Sequence, residues 1–164
     1  MKNWLLGGLF ALCISTTVPC FAAKRRDTRI QKVDKVSQAG VRWLPYQEAL
    51  HKASKEGKFV ALFFTGSDWC IWCMRMQEQI LRTDAFSTFA NQHLYMVEID
   101  FPHNNEQTPE QKALNQQLKT QYQVEGFPTL VLLDPQGKEI SKLGFEHGGG
   151  ENYVHRLKKI LHIS

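Results

Sequence analysis

Two cysteines separated by two residues, Cys70-Ile71-Trp72-Cys73, hold the clearest chemistry in this chain. They follow an apolar run, Phe59 to Phe64, and a turn-forming segment, Thr65-Gly66-Ser67-Asp68. They open a stretch to Leu81 whose residues favour helix. A thiol at a helix N-terminus meets unpaired amides and the positive end of the dipole. That lowers its pKa from about 8.5 toward neutrality, so thiolate is present at working pH. A second thiol three residues on lies one helical turn away and can close a disulfide without backbone movement. Such a pair can attack a disulfide, pass through a mixed disulfide and release the product by internal attack. Cys70, nearer the helix end and more exposed, is read as the attacking thiol, and Cys73 as the resolving one.

Rival uses of the pair are weaker. A zinc site needs two further ligands, and the six histidines show no short paired spacing. Covalent haem needs His after the second cysteine, where Met74 stands. A purely structural disulfide would close a ring too small to remove much chain entropy. No metal and no cofactor are therefore expected.

The chain has two more cysteines, Cys13 and Cys20, but both fall in a segment that reads as a signal peptide. A short basic start, Met1-Lys2-Asn3, leads into an uncharged apolar stretch, Trp4 to Val18. Cys20-Phe21-Ala22 then sets small residues at −3 and −1 of a cut after Ala22, better than a cut after Ala23. An uncleaved anchor is the alternative, although the run is short for a membrane span. Pro19 beside Cys20 is a poor setting for lipid attachment. Removing residues 1–22 of 164 leaves 142, and losing Lys2 takes the formal charge from +4 to +3. A core of that size needs no disulfide staple. The charge is too small and mixed to argue for nucleic acid.

Residues 23–40 are polar and basic with no apolar period, and read as a solvated or disordered lead-in to a domain over 41–164. Val41-Arg42-Trp43 reads as a short strand, and Tyr46 to Glu56 as an amphipathic helix between Pro45 and Gly57. The unbroken apolar run Phe59 to Phe64 implies a strand covered on both faces. Asp84 is expected to cap a short helix with Phe86, Phe89 and Ala90 inward, before a buried strand from Leu94 to Phe101. A helix from Pro109 to Tyr122, a strand Thr129 to Leu133 and a hairpin partner Lys138 to Leu143 follow. Gly148-Gly149-Gly150 reads as a flexible joint before a last helix carrying Tyr153, Val154, Leu157, Ile160 and Leu161 on one side. The order is that of an α/β sandwich with one mixed sheet flanked by helices.

Three segments together resemble the thioredoxin family. Trp69-Cys70-Ile71-Trp72-Cys73 resembles its W-C-x-x-C, Gly126-Phe127-Pro128-Thr129 its G-x-P-T, and Leu143-Gly144 its glycine loop. With the signal peptide, the chain is similar to exported bacterial thioredoxin-like disulfide oxidoreductases of the Dsb group, including the small DsbH-type reductases. The resemblance covers roughly residues 41–162. It implies a thioredoxin fold, a cis Pro128 facing the dithiol, and a backbone beside that proline that pairs with an extended substrate. Trp69, Ile71, Trp72, Phe127, Pro128, Thr129 and Gly144 would then form the substrate rim, with core packing equally open for Trp69.

The chain departs from the family where a buried Asp six residues before the first cysteine takes the resolving thiol's proton. Phe64 stands there, with Phe63 beside it, so water or another carboxylate, Asp68 or Glu98, must serve. Ile71-Trp72 adds no charge and no His, so Cys70 is mildly acidified and the disulfide comparatively stable. That favours a periplasmic reductase of exported proteins, acting as a monomer and re-reduced by a membrane thiol donor. A dithiol oxidase or isomerase of the same fold, or a non-enzymatic binding module, are the alternatives. The dimeric isomerase lacks room for its extra domain in residues 23–40.

Overall fold

The computed structural model describes residues 40–164. The predicted signal peptide and all but the last residue of the basic lead-in lie outside them.

The apolar run forms β1 (Phe59–Thr65), and its alternation assigns a side chain to each face of a sheet. Helix α1 (Tyr46–Glu56) precedes it, and ends on Gly57 in the left-handed conformation, φ 70°. After β1 come α2 (Ile71–Met76), a π-helical turn (Gln77–Leu81), α3 (Asp84–His93) and β2 (Leu94–Asp100). The chain continues through α4 (Pro109–Gln121), β3 (Thr129–Leu133), β4 (Glu139–Leu143) and α5 (Gly149–Leu161). The sheet order is β2-β1-β3-β4, with β1 parallel to β2 and antiparallel to β3, and β3 antiparallel to β4. The mixed sheet and flanking helices are those expected.

Each face has its own core. Val60, Leu62 and Phe64 of β1 pack with α1, Leu118 of α4, and Tyr122. Ala61 and Phe63 point the other way, toward the two cysteines, the π turn, α3 and α5. β1 is therefore apolar throughout because both its faces are covered.

Four local expectations change. Residues 41–43 form no strand: Trp43 makes a single bridge to Met96, beside a Leu44 N–H bond to the Met96 carbonyl. The helical stretch to Leu81 does not stay α-helical, because Arg82 N–H donates to the Gln77 carbonyl, five residues back, at 2.9 Å. The cap of α3 is Thr83, whose hydroxyl accepts from Phe86 N–H at 3.3 Å, while Asp84 is already inside the first turn. A hydroxyl three residues before that amide has the reach that an N-cap requires. The triple glycine is no joint: Gly148 and Gly149 take positive φ to start α5, and Gly150 is buried against Thr83.

Thr83→Ala is expected to cost about 1 kcal/mol, and Asp84→Ala clearly less, since Asp84 only complements the helix dipole. Chemical denaturation of the two variants checks the assignment.

Candidate active site

The dithiol lies where β1 hands over to α2. Cys70 is the N-cap of α2, in extended conformation, and its Sγ accepts a hydrogen bond from Cys73 N–H at 3.2 Å. The two cysteines form a disulfide with their Cα atoms 5.2 Å apart, within the usual range. Cys70 is 6 % exposed and Cys73 1 %, so the first sulfur is the more accessible. The amide aimed at Cys70 Sγ is the first-turn donor that stabilises an anion there when the pair is reduced.

Two loops hold this turn in place. Cys70 N–H bonds to the Gly66 carbonyl at 2.9 Å. Asp100, at the end of β2, accepts from both Ser67 N–H and Ser67 Oγ, at 2.9 and 2.6 Å. Asp68 returns the contact, accepting from the N–H groups of His103, Asn104 and Asn105 at 2.9, 2.7 and 3.3 Å. These backbone bonds, that from His103 first, hold the Asp68 carboxyl below the usual carboxylate range. Asp68 is thus an ionised clasp for the loop after β2.

Glu98, the other carboxylate considered, lies opposite Phe63 in the β1–β2 register. It faces a cavity of about 350 Å³ with Trp43, Gln77, Leu81 and Arg82, and Cys73 does not line it. Burial, and secondarily the charge of Asp100, raise its pKa.

The expected rim residues form two aromatic groups. Trp69, 41 % exposed, donates from Nε1 to the Phe101 carbonyl at 2.8 Å. Its ring stacks on His103 at 4.6 Å and meets Phe127 edge-on at 6.0 Å. Trp69 is therefore a surface residue and not a core one, anchored by one hydrogen bond. Trp72, 46 % exposed, lies against Phe145 at 5.6 Å and beneath the Arg75 guanidinium at 4.7 Å. Ile71 between them is 57 % exposed. The Phe127–Pro128 peptide is cis. Thr129 opens β3, and its hydroxyl donates to the Gly126 carbonyl at 2.7 Å. Gly144 stands beside the Pro128 carbonyl and lines a separate hollow with Gln123, Val124 and Thr129. It touches the proline loop, and neither cysteine lines that hollow.

Phe145, Phe101 and His103 belong to these groups without a role in the sequence reading, and Arg75 joins them, one position beyond the basic residue that the resemblance would put after Cys73. Phe145 follows Gly144 directly, which is the available signal. Phe101, at the end of the expected strand, and His103, in the polar loop after it, carry none, because no spacing pairs either with Trp69.

A thioredoxin-like domain model matches residues 46–148. The chain belongs to the thioredoxin-like family. It is 47 % identical over 165 aligned residues to the disulfide bond reductase DsbH of Chlamydia pneumoniae, covering 99 % of each chain. A solved DsbH oxidoreductase superposes with a TM-score of 0.75 at 50 % identity, covering 77 % of this chain and 88 % of that one. A thioredoxin from Thermus thermophilus does so at 0.59 and 26 % identity, covering 74 % and 88 %.

Two outcomes test the geometry of this thioredoxin-like site. A Cβ on Gly66 would overlap the Trp69 indole, so Gly66→Ala should unseat that ring and lower disulfide-exchange activity about tenfold or more. Trp69 fluorescence and turnover of the variant report both. The Asp68 carboxyl is depressed in the folded state, so its contribution is fully present above the ordinary carboxylate pKa and is lost as pH falls through the lower folded value. Protection of the His103, Asn104 and Asn105 amides, taken relative to their intrinsic exchange rates, should fall on acidification in that window, and lose this pH response in Asp68→Asn.

Proposed function

We propose that this chain is an exported thiol–disulfide oxidoreductase that reduces disulfides in exported proteins through the Cys70/Cys73 couple. The observation that carries the reading is the cysteine pair at the start of α2, with the Cys73 amide donating to Cys70 Sγ. A non-enzymatic module has no need of two thiols set for internal exchange. The relative of matching length bears the name disulfide bond reductase.

In the reduced state Cys70, as thiolate, attacks a substrate disulfide and displaces one sulfur. Cys73 then attacks Cys70 Sγ, forms the internal disulfide and releases the second substrate sulfur as a thiol. Two electrons pass to the substrate, and the oxidised pair needs a thiol donor to return them. An oxidising compartment supplies no such pool, so the donor is a membrane thiol protein, and the compartment is the periplasm, reached through a cleaved segment 1–22. The chain acts as a monomer.

Trp69, Ile71, Trp72 and Phe127 offer an apolar rim to the substrate. Backbone beside Pro128 and Thr129 pairs with an extended substrate strand, with Gly144 leaving space beside it, so the site reads little side-chain sequence. The Ile71-Trp72 pair brings no cation of its own, and the Arg75 guanidinium lies over the Trp72 face. Cys70 is therefore only moderately acidified, which keeps the disulfide stable and makes the reduced form a good donor.

Reduction of insulin by the chain should disappear in Cys70→Ala. Cys73→Ser should retain substrates as mixed disulfides, resolved on a non-reducing gel. Equilibration with glutathione should place the couple among the reducing thioredoxins, and a potential near −120 mV, that of a strong oxidant, would reverse the direction.

A further inference from the structure

Thr65 ends β1 and is completely buried. Its Oγ1 is the one buried side-chain nitrogen or oxygen without a hydrogen-bond partner among the described residues. It lines a cavity of about 310 Å³ together with Cys73, Ser67, Gln77, Glu78 and Arg82. A buried hydroxyl without a partner is costly, and the polar-walled cavity that Thr65 lines is large enough to hold water.

Strand alternation gives this hydroxyl its importance. Phe64, at the position six residues before Cys70, packs in the core on the far side of the sheet. Ala61 and Phe63 face the cysteines, and Thr65 continues that row. The side chain that β1 contributes to the cavity lined by Cys73 is thus a hydroxyl. Two carboxylates on this side are otherwise placed. Asp100 is bonded to Ser67, and Glu98 faces the neighbouring cavity. Glu78, from the π turn, lines the cavity with Cys73.

We propose that Thr65 Oγ1, through water in this cavity, hydrogen-bonds to Cys73 Sγ as it ionises, making Thr65 a positioning residue for the resolving step. The inference rests on the reductase reading above. In the mixed disulfide, Cys73 Sγ–H gives its proton to cavity water, which passes it to Glu78 or to solvent. The thiolate attacks Cys70 Sγ, and the Cys70–Cys73 bond forms as the Cys70–substrate bond breaks. The substrate sulfur leaves with that electron pair and takes a proton from solvent. Arg82 favours the thiolate and Glu78 opposes it. Glu98 and Asp100 of β2 add weaker repulsion, and Arg75 of α2 lies over Trp72. Tyr153 of α5, its pKa raised by burial, stays neutral.

The test uses the full chain with Cys13 and Cys20 replaced by serine, reduced and mixed with oxidised glutathione. Acid quenching and mass analysis follow the glutathione adduct on Cys70 across pH. In Thr65→Val the adduct should form at the parent rate. It should decay about tenfold more slowly at pH 7, with the decay profile displaced upward by about one pH unit. Thr65→Ser should restore both, and Thr65→Ala should reproduce the delay if the valine variant does not fold. Decay at the parent rate and pH profile in Thr65→Val or Thr65→Ala, or a Thr65→Ser as slow as either, overturns this role alone. A parent chain that forms neither adduct nor internal disulfide overturns the reductase reading and this inference with it.

Discussion

The dithiol depends on one constraint: the first turn of α2 must stay aimed at Cys70 Sγ. The bond from Cys73 N–H to that sulfur is the local expression of it. Its rigidity comes from outside the helix, which has only six residues. Asp100 grips Ser67 on one side, and Asp68 grips three amides of the opposite loop on the other. Charged acceptors on backbone amides are among the stronger hydrogen bonds. Trp69 adds a third link through its bond to the Phe101 carbonyl. The segment that carries the chemistry is thus fixed by two carboxylates and one indole, while its sulfurs stay free to exchange.

That arrangement explains how an exposed rim can coexist with a buried couple. The cysteines sit at the edge of the core that packs against α3 and α5. Trp72 and Ile71, in the same turn, project outward because the helix directs successive side chains about 100° apart. Trp69 and Phe127 form one aromatic group and Trp72 and Phe145 another, assembled from segments far apart in sequence. Under the function proposed above, a substrate chain lying across the sulfurs would meet apolar surface from both groups and backbone from the proline loop, a combination suited to unlike partners.

Much of the scaffold was legible because its patterns are local. The run Phe59 to Phe64 announces a central strand, and the apolar spacing from Tyr46 to Ala53 announces α1. Pro45 and Gly57 bracket that helix as expected. The misreadings share a cause. Thr83 rather than Asp84 caps α3 because one backbone rotation decides which side chain reaches the Phe86 amide. The glycines at 148–150 look flexible in sequence, yet positive φ and close packing against Thr83 give them fixed work. The π turn leaves no compositional trace, since it depends on one carbonyl accepting from five residues ahead.

By itself the sequence determined the reactive pair, the turn of helix between its members and the buried strand that delivers it. Each follows from residue type and short spacing, where backbone geometry leaves few choices. Only the tertiary structure decided which carboxylates are available, because that depends on partners 30 or more residues away, as Asp68 with His103 and Asp100 with Ser67. It also decided which β1 side chain shares a cavity with Cys73. Counting residues points to Phe64, but the two-residue period of β1 turns Phe64 away and leaves the hydroxyl of Thr65 beside the cavity.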